Sequence, residues 1–94
     1  MNTVYKLILS VKVEMITNEE KRWFNMGRPV ELGIYGSRDK AYQEMCEYIT
    51  QMANVEHPEI ILVEKDSFIE TYSVKRETEN EYDFYDIVET HVRN

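Results

Sequence analysis

From Tyr5 to Met15 every second residue is apolar or aromatic: Tyr5, Leu7, Leu9, Val11, Val13 and Met15. Lys6, Ser10, Lys12 and Glu14 stand between them. A helix turns once in about 3.6 residues and cannot gather such a set on one side, whereas a strand does so by its pleat. The pattern predicts a long strand with one face on a core. Ile8 interrupts the polar side, so part of the other face is expected to be covered as well. A strand of this length needs paired neighbours and a layer to pack on, and the rest of the chain supplies both.

A second strand is expected over "VELGIY", where Val30, Leu32 and Ile34 share a face. The stretch between, "TNEEKRWFNMGRP", reads as a long loop closed by Gly27 and Pro29. Ser37 is placed to cap a helix, with Asp39 in its favourably polarised first turn. Ala41, Met45, Tyr48 and Met52 then recur at helical spacing with Ile49 beside them, and the helix is expected to end near Asn54. After Pro58, "EIILVEK" is a short apolar run, read as a strand covered on both faces or as a helical turn. "SFIETYSVKRE" puts Phe68, Tyr72 and Val74 on one face, with Glu70 as an exception. "EYDFYDIVETHV" puts Tyr82, Phe84, Val88 and Val92 on one face and Tyr85 and Ile87 on the other. "ETENE" between them reads as a hairpin turn.

The order β-β-α-β-β-β implies an α+β fold over residues 1–94 as a single domain. One principal helix packs on a mostly antiparallel sheet of four to five strands. The expected core is Leu7, Leu9, Val11, Leu32, Ile34, Ala41, Met45, Ile49, Ile61, Phe68, Val74, Phe84 and Val88. A sheet with apolar residues on both faces needs a second copy to cover one of them, which predicts a homodimer.

Composition narrows the function. The net charge is −7, spread as +2 over residues 1–30, −4 over 31–63 and −5 over 64–94. A phosphate backbone rewards clustered Lys and Arg, so direct nucleic-acid binding is not expected, and a partner with a basic surface is. No apolar run approaches the roughly 20 residues that cross a bilayer, and the N-terminus lacks the pattern of a signal peptide. Cys46 is the lone cysteine, which fits a cytoplasmic protein and leaves no Cys/His set for zinc. No metal or other cofactor is expected.

Within "ELGIYGSRDKAYQEM", Gly33, Ile34, Tyr35, Ser37 and Ala41 form a strand, a turn and a helix start. This stretch resembles small α/β domains of bacteria, prophages and phages that carry a G-[IV]-Y-x-S-x-x-x-A motif followed by an acidic strand rich in Tyr, Phe and Ile. "FYDIVETHV" looks like that final strand. The resemblance spans about half the chain in short motifs. It implies a fold and brings no catalytic residues with it.

Three surfaces are candidates for function. The turn itself lacks the long glycine arc and Lys-Ser or Lys-Thr of a nucleotide loop, and it serves most simply as a joint. As a ligand site it would use the helix N-terminus at Ser37, with Tyr35, Arg38 and Tyr42 around a small nucleotide-like anion. In the "EEKRWFNMG" loop, Trp23 reads either as a lid on the core or as an interface anchor, since Trp, Tyr and Arg dominate hot spots. In the last third, Glu79, Glu81, Asp83, Asp86 and Glu89 are interleaved with Tyr82 and Tyr85. Alternate acids on a strand lie roughly 7 Å apart, close to the phosphate spacing of a nucleic-acid strand. That spacing suits either mimicry of a nucleic acid or a solvated outer face.

No nucleophile has a visible base, so no catalytic residue is assigned and no enzyme is expected. The leading expectation is an acidic protein-binding module, in concrete form a phage or mobile-element inhibitor of host defence of the anti-CRISPR or anti-restriction type. Its acids would face a basic nucleic-acid groove on the target, with Tyr82, Tyr85 and Trp23 as anchors. The alternative is a protein that binds or sequesters a small anion at Ser37.

Overall fold

The computed structural model describes residues 2–52, 58–77 and 80–93. These form strands β1 (Asn2–Thr17), β2 (Glu20–Asn25) and β3 (Val30–Tyr35), helix α1 (Arg38–Met52), then strands β4 (Ile61–Lys65), β5 (Ile69–Lys75) and β6 (Glu81–Val92). Every strand pairing is antiparallel and all strands join one sheet. The α+β class is as expected. The sheet, however, has six strands instead of four or five, in the order β-β-β-α-β-β-β.

The extra strand is β2, which replaces most of the expected loop. Asn18 and Glu19 both take positive φ, 51° and 66°, so the chain reverses in two residues with the twist that paired strands require. Residues Glu20–Asn25 then run back along Lys12–Thr17. Asn tolerates that conformation and Glu rarely adopts it, so no glycine advertised the turn. Gly27, at φ 84°, releases the chain toward β3.

The sheet runs β2-β1-β6-β5-β4, and β3 pairs the same edge of β1 as β2 but nearer its start. The alternation of β1 sorts its side chains as expected. Leu7 lies opposite Ile87 of β6 and Gly33 of β3, and these positions face α1. Ser37 caps the helix: its Oγ accepts the Lys40 N–H at 3.1 Å, and its carbonyl accepts the Ala41 N–H at 3.2 Å. Ala41, Met45 and Ile49 form the buried stripe that this start points at the sheet. With Leu7, Tyr72, Val74, Tyr85 and Ile87 they make the core. Full burial of side chains such as Leu7 and Ile87 stabilises by roughly 1.5–3 kcal/mol each.

Several expected core residues lie elsewhere. Ile34 pairs with Lys6 and faces away from the helix, and it is exposed. Phe68 sits in the turn before β5 and is also exposed. Ile61, Leu62 and Val63 of "EIILVEK" form the edge strand β4 and are each about half exposed, not covered on both faces. Phe84 is buried, but on the face opposite the helix, because it pairs with Ser10 and Ser73. The expected helix end at Asn54 falls outside the described residues.

Dimensions explain the uneven cover. Strand β1 has 16 residues and α1 has 15, which correspond to about 48 Å for a twisted strand and about 22 Å. The molecule measures 48 × 32 × 21 Å. The helix packs on β1, β3 and β6 and, among the described residues, leaves the far end of β1, with β2, as an arm outside its cover.

Candidate functional site

Strand β6 carries most of the expected partner-binding residues, and its register divides them. Glu81, Asp83, Tyr85 and Glu89 share the helix side of the sheet with Ile87, whereas Tyr82 and Asp86 share the other side with Phe84. The acids therefore do not line one face. An odd and an even position of one strand point opposite ways, and the step from Asp83 to Asp86 crosses from one face to the other. Glu79 lies outside the described residues.

Internal partners hold these acids. Asp83 accepts the Arg76 Nε–H at 2.8 Å, and Asp86 accepts the Thr71 hydroxyl at 2.7 Å. Glu89 accepts the Tyr5 hydroxyl at 3.1 Å, and this bond to a carboxylate raises the Tyr5 pKa above its ordinary value. Tyr85 is only 2% exposed. It packs edge-on against Tyr48 at 6.1 Å, and burial above all raises its pKa. Tyr85 is core and not an anchor.

Two of the expected anchors do come together. The ring centroids of Trp23 and Tyr82 are 4.9 Å apart and those of Trp23 and Phe84 5.2 Å, both edge-to-face. Such pairs add about 0.5–1.5 kcal/mol beyond their burial. Register explains the meeting, because Trp23 pairs with Glu14 and Tyr82 with Lys12, neighbouring positions on the face away from the helix. The Lys12 ammonium lies 4.8 Å above the Phe84 ring. Trp23 covers Phe84 as a lid would, on the opposite side of the sheet from the helix core. It remains 42% exposed, with Phe24 and Met26 of the same arm about half exposed.

The residues proposed around the Ser37 turn are differently engaged. Arg38 donates from Nε to Glu70 Oε2 at 2.6 Å and from Nη2 to Glu70 Oε1 at 3.0 Å. Nη2 also donates to the Tyr72 hydroxyl at 2.9 Å. The guanidinium lies 4.7 Å from the Tyr42 ring, which packs edge-on against Tyr72. Arg38 and Tyr42 are therefore neighbours, but the cation already has its carboxylate. Tyr35 lies over Gly33, where a Cβ would strike its ring. The Arg38 hydrogen bonds hold the Glu70 carboxyl below the ordinary carboxylate range against the opposing effect of burial.

Glu70 is the functional-looking residue that periodicity singles out without explaining. It is a lone acid on an otherwise apolar face, and at 7% exposure it is buried. A buried carboxylate demands a cation, and the bidentate Arg38 supplies it. No side chain in the sequence pattern names that partner.

Among the described residues, no group of three or more His, Cys, Asp or Glu is arranged to hold a metal ion, and no helix is long and apolar enough to cross a membrane. The chain matches no family of known proteins, no curated protein sequence and no solved structure.

Proposed function

We propose that this chain is a non-enzymatic protein-binding module that grips its partner with the β1–β2 arm. The observation that carries the reading is the cluster of Trp23, Tyr82 and Phe84, which leaves Trp23 rigidly seated yet accessible. A pre-packed aromatic at the surface loses little entropy on binding, which is why such residues become hot spots. Lys21 lies beside Trp23 on the same face of β2, and Phe24 gives the opposite face of the arm an exposed apolar side chain. The net charge of −7 favours a basic partner in diffusional encounter. The module's place is the cytoplasm, in keeping with the single cysteine. In its specific form, an inhibitor of a host defence protein, the arm and not a row of carboxylates would make the primary contact. A second copy is the cover proposed for Ile61 and Ile69 on the sheet face away from the helix, with a dimeric mass in light scattering as its check.

Affinity capture with the immobilised protein tests the arm. Wild type, Trp23→Ala and a control at the exposed helix residue Met52 are compared against host lysate, with quantification of each captured protein. The expected outcome is one partner lost at least about tenfold with Trp23→Ala and retained with Met52→Ala, since hot-spot truncations cost about 2 kcal/mol or more. Equal capture by Trp23→Ala at unchanged melting temperature would remove the arm from the interface. The reading of Ser37 as an anion site is less favoured, because Arg38 is committed to Glu70.

A further inference from the structure

Away from the arm, a pocket of about 210 Å³ opens between the start of α1, the β4–β5 turn and the paired ends of β1 and β6. At roughly 30 Å³ per water this is space for about seven waters, sufficient for a short alkyl chain with one polar head. Its walls combine two aromatic side chains, Tyr5 and Phe68, with the aliphatic Ile87, and Ile69 borders it from the strand whose side chain turns to the other face. Its charged groups are three carboxylates, Asp66, Glu70 and Glu89, against two cations, Arg38 and Lys65.

The engagements of those groups decide what the pocket can take. Arg38 and Glu70 satisfy each other. Asp66 Oδ1 accepts the N–H groups of Phe68 and Ile69 at 2.7 and 2.9 Å, and the Glu89 N–H donates to the Phe68 carbonyl at 2.7 Å. These bonds fix the turn and with it the Phe68 wall. Glu89 accepts the Tyr5 hydroxyl through Oε1, and its Oε2 lies 3.9 Å from His91 Nε2. That carboxylate retains acceptor capacity. One ammonium already sits on this carboxylate cluster: Lys65 Nζ is 3.6 Å from Glu70 Oε1, with its side chain 63% exposed and therefore displaceable.

From this geometry we infer that the pocket is a recognition site for a primary alkylammonium group. The ammonium head is held by Glu89 beside the Tyr5 ring, and the alkyl chain lies against Phe68 and Ile87. Aromatic faces attract cations and tolerate alkyl chains, a combination that neither an anion nor a neutral alcohol exploits fully. Two sources present this chemistry, a free small amine and a lysine side chain of another protein. Lys65, paired with Glu70, is a like charge on the pocket wall that opposes the incoming ammonium.

Amide-resolved NMR titration of the intact protein with n-butylamine, with Nα-acetyl-lysine methylamide and with the neutral n-pentanol tests the inference. Saturable shifts are expected at Phe68, Ile69 and Glu89 with one or both ammonium probes, at least fivefold tighter than with the alcohol. A preference for the lysine derivative assigns the site to a protein partner, and a preference for butylamine to a free amine. Lys65→Met should tighten ammonium binding about threefold by removing a like charge from the pocket wall, and Glu89→Gln should weaken it about tenfold, each at unchanged fold by circular dichroism. Equal affinity for the alcohol, absence of shifts at those amides in the wild type, or weaker binding in Lys65→Met would each overturn it. The arm takes no part in these readouts, so the two readings stand or fall separately.

Discussion

Leu7 and Met15 occupy the same face of the same strand, eight residues apart, yet Leu7 is 1% exposed and Met15 46%. The difference lies in what stands above them. Leu7 lies under a helix whose Ala41, Met45 and Ile49 fill the space over the sheet, while Met15 lies on the arm beyond its reach. The helix half gathers residues distant in sequence into a core, and the arm is a local hairpin whose Trp23 packs on Tyr82 and Phe84 of β6. One alternating pattern thus serves stability at one end and leaves apolar side chains exposed at the other.

Truncation should separate the two halves most strongly. Leu7→Ala is expected to destabilise by about 3 kcal/mol, because it removes buried methyl groups and leaves a cavity. Met15→Ala should change stability by less than about 0.5 kcal/mol. Urea midpoints at constant m-value measure both. A comparable loss at Met15 would break the contrast and mean that the arm is covered in solution, in which case the loss should grow with protein concentration as a second copy would require.

The second contrast is electrostatic and sharpens where the helix half gets its specificity. Replacing Glu70 with Gln leaves the Arg38 guanidinium without its carboxylate beside the core, with an expected loss of about 1–3 kcal/mol near neutral pH. The sign of the pH dependence follows from the lowered pKa. A carboxylate held below its ordinary value of 4.5 contributes fully above that value. The contribution fades as the pH falls through the folded-state value, because the unfolded chain takes up the proton first. Wild type should lose stability faster than Glu70→Gln as the pH drops below about 4.5, as read from denaturation midpoints at a series of pH values. Parallel profiles would mean that the pair does not hold in solution.

The same contrast describes how far the fold could be read from sequence. Period-two and helical spacing located β1, β3, the α1 stripe and β6, and the Ser37 cap was legible because capping chemistry is local. Three things were not. The β1–β2 turn uses Asn18-Glu19, a pair without the usual glycine. The exposure of Ile61 depends on its strand falling at the sheet edge, and strand order is not written in any window of residues. The Arg38–Glu70 pair joins positions 32 residues apart, and only the lone acid on an apolar face hinted at it. At the candidate site, sequence named Trp23 and Tyr82 but not their contact, which needs the β2 pairing. It also grouped acids that alternation sends to opposite faces.

The smallest expected effect tests the arm's own construction. Glu19 holds φ at 66°, a conformation that costs a residue with a side chain roughly 1 kcal/mol. Glycine adopts it freely, and Asn-Gly is the preferred pair for a two-residue hairpin turn. Glu19→Gly should therefore raise stability by a few tenths to about 1 kcal/mol, the lower end applying because glycine also loosens the unfolded chain. Hydrogen exchange gives the sharper reading, since extra protection should be confined to β2 amides and to their partners over Lys12–Thr17. If protection rises equally at Leu7 and Ile87, the arm and the helix half unfold as one unit and are not separable in energy. If it rises only in the arm, the hairpin opens on its own, and its stability can be changed without disturbing the core.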